Sequence, residues 1–139
     1  MSFLLDTCYL SEFIKKQPSQ KVVYWSEQQQ EHTLYISVLT LGEIQQGITQ
    51  MIRSKRKTAL EKWLDEALLP RFEGRILDIS RDVAITWGQV QGEARRQGGP
   101  LAVIDSLIAA TALTQNLTIA TQNVANMQGS GVTLVNPWE

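Results

Sequence analysis

Leu101-Ala102-Val103-Ile104-Asp105-Ser106-Leu107-Ile108-Ala109-Ala110-Thr111-Ala112-Leu113, closely followed by Leu117-Thr118-Ile119-Ala120-Thr121, decides the fold. The first segment is apolar, alanine-rich and long enough for a buried helix. The second is short and β-branched, as a buried strand is. The same strand signal appears in Phe3-Leu4-Leu5, in Thr33-Leu34-Tyr35-Ile36-Ser37, in Arg75-Ile76-Leu77-Asp78-Ile79 and in Val132-Thr133-Leu134-Val135. Turn-like Gly129-Ser130-Gly131 leads into the last of these. Short strands separated by helices predict an α/β domain with a mostly parallel central sheet flanked by helices. No repeat, linker or change of composition divides the chain, so residues 1–139 are expected to form a single domain.

Helical spacing fills the intervals. Tyr9, Leu10, Phe13 and Ile14 predict a helix from Thr7 to Lys16, and Pro18 suits the first turn of a second helix carrying Val22, Val23 and Trp25. Leu41, Ile44, Ile48, Met51 and Ile52 form the stripe of a third, beginning at Leu39. Ser54 is placed to cap a fourth, whose stripe of Leu60, Trp63, Leu64, Ala67 and Leu68 ends before Pro70. A helix from Ser80 or Arg81 carries Val83, Ile85, Trp87 and Val90 and is stopped by Gly98-Gly99-Pro100.

Of the 139 residues, 43% are hydrophobic and 19% charged, with a net charge of −1. The apolar fraction is too high for a disordered tail, and the charge balance excludes nucleic-acid binding that depends on a strongly basic protein as a whole. The single cysteine, Cys8, can form neither an internal disulfide nor a thiolate zinc site, which predicts a reducing compartment. The single histidine, His32, excludes paired-histidine metal motifs. No basic leader or membrane-spanning run is evident, so a cytoplasmic location is expected, with no membrane partner. Catalysis must then come mainly from carboxylates, amides and hydroxyls.

Three acids stand in apolar settings: Asp6 after the first strand, Glu43 within Leu39-Thr40-Leu41-Gly42-Glu43-Ile44, and Asp105 within the alanine-rich helix. A buried carboxylate is costly unless a cation, a proton or hydrogen bonds compensate it. Sites in open α/β sheets gather outside the carboxyl ends of the strands, where Asp6 and Thr121-Gln122-Asn123 both fall. Oxygen-only donors suit hard cations, and such cations suit phosphodiester hydrolysis. Each acid also has a local alternative. Asp6 can cap the following helix, Glu43 can complete a capping box with Thr40, and Asp105 can favour a helix dipole.

Leu4-Leu5-Asp6-Thr7, Thr40-Leu41-Gly42-Glu43-Ile44-Gln45-Gln46-Gly47, Val103-Ile104-Asp105-Ser106-Leu107-Ile108-Ala109-Ala110-Thr111-Ala112 and Thr121-Gln122-Asn123 resemble the PIN-domain nucleases. More narrowly, the chain resembles the VapC and FitB toxins of toxin–antitoxin operons, over essentially its whole length. The resemblance implies a single PIN-like α/β domain and a magnesium- or manganese-dependent ribonuclease that cleaves RNA, commonly a transfer RNA. It also implies a homodimer neutralised by a small DNA-binding antitoxin, with DNA reached only through that antitoxin. By motif, Asp6, Glu43 and Asp105 are the implied metal-binding acids, and Asn123 completes the implied catalytic set.

The sequence departs from the family at the fourth acidic position, where Asn123 and Asn126 stand. An amide can offer a neutral carbonyl ligand but neither charge nor general-base capacity. One firmly held cation, or weak activity, is therefore expected. The alternative is a weakly active or inactive PIN-like subunit acting through an antitoxin–operator DNA complex.

Arg53, Lys55, Arg56, Lys57 and Lys62 read as a solvated helical face with Lys57–Glu61 and Lys62–Glu66 pairs, although Arg53 to Lys57 is also the candidate for phosphate contact. Trp25, Trp63 and Trp87 are expected in core packing. His32 is expected to be solvated, and Cys8 to be a packed small residue rather than a nucleophile.

Overall fold

The computed structural model describes residues 1–139. The elements, in chain order, are β1 (Phe3–Leu5), α1 (Thr7–Glu12), α2 (Gln20–Glu27), β2 (Leu34–Ser37), α3 (Val38–Gln50), α4 (Lys55–Trp63), α5 (Leu69–Arg71), β3 (Ile76–Leu77), α6 (Arg81–Arg96), α7 (Val103–Gln115), β4 (Thr118–Ala120), α8 (Val124–Met127) and β5 (Leu134–Val135). A π-helical turn, Leu64–Leu68, joins α4 to α5. All strand pairs are parallel, in the order β3-β2-β1-β4-β5. This is the α/β domain with a parallel sheet that the sequence predicts.

Alternation along β1 divides the core. Phe3 and Leu5 face a cluster with Tyr9, Leu10, Val22 and Ile44 of α1 to α3, Leu68 of the π-helical turn and Phe72 just after α5. Leu4 faces the other way, onto Ile108, Ala109 and Ala112 of α7, with Ile119 and Met127. The alanines of α7 allow this helix to lie close against the sheet, and α6 packs along it.

Serines start most of the longer helices. The hydroxyls of Ser19, Ser37, Ser54 and Ser80 accept from the amides of Val22, Leu39, Lys57 and Val83 respectively. Pro18 therefore precedes the cap of α2 instead of occupying its first turn. Ser37 displaces the Thr40–Glu43 capping box: Thr40 is buried within α3, its hydroxyl unpartnered, and Glu43 is used elsewhere. Asn116 ends α7 in the left-handed conformation, φ 56°, which lets Leu117 N–H return to the Ala112 carbonyl at 2.8 Å.

Several segments are shorter than expected. β3 ends before the exposed Asp78 and Ile79, as befits an edge strand. Val103 and Ile104 are exposed on the first turn of a helix expected to be buried throughout. α1 stops at Glu12 because the chain turns back there. Glu12 is only 4% exposed, with Lys15 Nζ at 2.9 Å, Ser19 N–H at 2.8 Å and Trp138 Nε1 at 3.1 Å all donating to its carboxylate. The C-terminal tryptophan is thus tied to the end of the first helix.

The Lys15 contact, followed by the Ser19 amide, holds Glu12 below the usual carboxylate range. Its ionised form is favoured by folding, so its contribution to stability is complete above the ordinary carboxylate pKa of about 4.3 and is lost as pH falls through the lowered one. Glu12→Gln should lower unfolding free energy at pH 7 by about 1–3 kcal/mol. It should also flatten the acid limb of stability, measured by urea unfolding between pH 7 and pH 3.

Candidate metal and phosphodiester site

β1 is flanked by β2 on one side and by β4 on the other. The connections therefore diverge at its carboxyl end and leave a crevice between β1 and β4. Asp6 and Thr121 face each other across it. Asp6 N–H donates to the Ala120 carbonyl at 3.1 Å, joining the strand ends. The residue is 5% exposed; Oδ1 accepts from Thr7 N–H at 2.9 Å and Oδ2 from Thr121 Oγ1 at 2.7 Å. Asp6 is thus both the N-cap of α1 and a buried carboxylate at the crevice.

Thr7 extends the arrangement to α3. Its hydroxyl donates to Glu43 Oε1 at 2.6 Å, so Glu43 is held beside the mouth of the crevice through Thr7. Asp105, half-buried in the first turn of α7, accepts no hydrogen bond from protein groups. Burial, and next the charge of Asp6, push its carboxyl above the ordinary carboxylate value. Asp6, Glu43 and Asp105 form no salt bridge with Lys, Arg or His. Two acids that feel each other's charge without a protein cation are suited to an added one. The three side chains do not close on one point as a ready-made cage.

Asn123 N–H donates to Thr121 Oγ1 at 2.9 Å, so its backbone buttresses the threonine that holds Asp6. The Asn123 and Asn126 side chains are exposed and engage no protein group. Cys8, whose sequence reading was packing alone, stands against the site. Its Sγ is 3.8 Å from Asp6 Oδ2 and 3.6 Å from Thr121 Oγ1. Burial raises its pKa, and the Asp6 charge adds to that, so it remains a thiol and a poor nucleophile.

A cleft of about 230 Å³ runs from Thr7 and Glu43 between α1, α3 and α4, over Ile44 and Ile48 to Trp63 and Arg56. Trp25 and Trp63 pack against the core as expected, and His32 is exposed. The basic run is largely committed. Arg53 pairs with Glu61 at 3.0 Å and Lys62 approaches Glu66 at 4.0 Å. Lys57 donates to the Thr49 and Met51 carbonyls at the end of α3 rather than pairing with Glu61. Arg56 makes no ion pair and reaches the cleft.

The model of the family described as "PIN domain" matches residues 3–125, a span containing Asp6, Thr7, Glu43, Asp105, Thr121 and Asn123. The chain belongs to the PIN-domain family. Toxin FitB of Neisseria gonorrhoeae is 35% identical over 135 residues, which is 97% of each chain. VapC ribonuclease Y4jK of Sinorhizobium fredii is 32% identical over 136 residues, 98% of this chain and 97% of the relative. Among solved structures, FitAB bound to an IR36 DNA fragment superposes with a TM-score of 0.93 at 33% identity, covering 99% of this chain and 96% of that one. The PIN-domain chain has no helix long and apolar enough to cross a membrane.

The raised Asp105 carboxyl has a measurable consequence. A carboxylate whose folded pKa lies above its unfolded value opposes folding once the unfolded group has ionised, and has no effect below that pH. In chelator, Asp105→Asn should therefore raise the melting temperature of this PIN domain at pH 7. The difference should close by about pH 3.5, below the ordinary Asp pKa of about 3.9. Calorimetry at both pH values measures this.

Proposed function

We propose that this PIN-domain chain is a divalent-metal-dependent endoribonuclease of the VapC and FitB kind, a toxin whose RNA substrate is commonly a transfer RNA. The observation that carries the reading is the crevice between β1 and β4, where Asp6 and Asp105 feel each other's charge with no protein cation between them. Support also comes from a relative named VapC ribonuclease and another named Toxin FitB. The FitAB complex on DNA supports a small DNA-binding antitoxin as partner, with DNA reached only through it, and a homodimer accompanies this reading.

Asp6, Asp105 and Glu43 would hold magnesium or manganese, since their donors are all hard oxygens. When bound, such a cation neutralises charge on a phosphodiester and activates water. The chain's own groups prepare the place. Thr7 N–H and the Thr121 hydroxyl fix both oxygens of Asp6, leaving further lone pairs free. The Thr7 hydroxyl takes one oxygen of Glu43 and leaves the other to orient a nucleophile. Asn123 offers a neutral carbonyl to complete the shell or meet the phosphate. Arg56, the uncommitted cation of the cleft, would contact a backbone phosphate.

The exposed amides of Asn123 and Asn126 favour a second reading, in which the protein is a weakly active or inactive subunit working through its antitoxin on operator DNA. A transfer-RNA pool incubated with antitoxin-free protein separates the two. Discrete fragments are expected with magnesium or manganese, none with chelator, and at least about a 100-fold loss of rate in folded Asp6→Ala. Intact RNA under every condition, from folded protein, would select the second reading. For Arg56→Ala, RNA affinity should fall and the slope of log K against log salt should shallow by about 0.7, the loss of one phosphate contact on a single strand. Filter binding over a salt series measures it.

A further inference from the structure

α7 begins without a cap of its own. Its N-cap is Ala102, which has no side chain able to bond the free amides of the first turn. Asp105 stands in that turn. Something else must hold this end of the helix.

The hold comes from α6. Gln91 is 5% exposed and its amide closes a two-point clasp on the backbone of Leu101. Nε2 donates to the Leu101 carbonyl at 2.7 Å, and Leu101 N–H donates to Oε1 at 2.8 Å. Nε2 also lies 3.3 Å from the hydroxyl of Ser106, which is fully buried beside Asp105. That hydroxyl accepts from Trp87 Nε1 at 2.9 Å and directs its own proton to the carbonyls of Ala102 and Val103, at 2.8 and 2.9 Å. Gln91 thus grips the backbone before Asp105, and Trp87 the side chain of Ser106 directly after it. The Gln91–Ser106 contact is buried and the others are partly buried, so water replaces a lost bond only in part.

We infer that Gln91, with Trp87 acting through Ser106, is a positioning residue that fixes the first turn of α7, and with it the place from which Asp105 can join Asp6 on a divalent cation. This rests on the metal reading given above for Asp6 and Asp105. Partners that orient a metal ligand in this way commonly contribute 10- to 100-fold to metal affinity. Gln91 makes no contact with the acids themselves, so its effect on a cation passes entirely through the turn it grips.

The test uses Gln91→Met, similar in length and without amide bonds. Its control is Thr114→Val, which removes the Thr114–Thr86 hydroxyl contact at 3.3 Å, toward the other end of the same helix pair. Amide hydrogen exchange in the metal-free chain is read first. Gln91→Met should speed exchange at Ser106, whose amide bonds to the Ala102 carbonyl, by about tenfold or more, with Leu117 at the far end unchanged. Manganese titration calorimetry should then show about a tenfold weaker affinity in Gln91→Met and none of this loss in Thr114→Val. Unchanged exchange at Ser106 in the folded variant overturns the clasp, as does equal loosening at both ends of α7. Faster exchange with unaltered manganese affinity overturns the positioning role. If the parent chain binds no manganese, the metal reading fails and the positioning role with it, while exchange still decides the clasp. If Gln91→Met does not fold, Trp87→Phe removes the indole donor while keeping an aromatic ring, and the same two readouts should shift in the same direction by a smaller factor. No shift in that variant overturns the inference.

Discussion

Burying Asp6 at the junction of two parallel strands is the constraint on which the rest of this structure depends. A carboxylate there must be compensated by donors of fixed position, because water is excluded. The Thr121 hydroxyl can supply one only if β4 lies beside β1 in the observed register, Leu5 against Ala120. The Thr7 amide can supply the other only if a helix begins directly after β1. One side chain thereby couples sheet order, strand register and the start of α1.

α1 itself is only six residues long, too short to persist on its own. It is pinned by an acid at each end, and both acids are buried. Asp6 ties its beginning to β4, and Glu12 ties its end to Ser19 and the C-terminal Trp138. α7 is held differently, by amide and indole donors from α6 rather than by its own cap. The elements that carry acids toward the crevice thus take their positions from long-range polar contacts. The apolar clusters on the two sheet faces supply the bulk of the burial.

The sheet was legible in the sequence because each strand is a compact apolar run bounded by turn residues, and the helices because their stripes repeat at helical spacing. Asp6, Glu43 and Asp105 stood out because carboxylates are costly among leucines and isoleucines. Other features depend on contacts that no local pattern reports. Glu12 reads as an ordinary polar position in an amphipathic helix, yet Trp138, distant in sequence, makes it a buried anchor. Gln91 and Ser106 are unremarkable where they stand, and only the packing of α6 on α7 pairs them. The Thr40–Glu43 spacing is a genuine capping signal, but Ser37 begins the helix a turn earlier, freeing Glu43 for Thr7. Lys57 likewise has an acid at helical spacing, yet carbonyls at the end of α3 claim its ammonium group.

The bond from Thr121 to Asp6 joins residues 115 positions apart, and that from Trp138 to Glu12 joins residues 126 apart. β1, the central strand, is synthesised long before its partner β4. A growing chain therefore carries Asp6 on an incomplete sheet, without its threonine and without α7. Because a long loop must close before such contacts form, they await the segments that carry Thr121 and Trp138. The crevice is consequently a late product of synthesis: a nascent polypeptide lacks it until α7 and β4, more than ninety positions beyond Asp6, have been made.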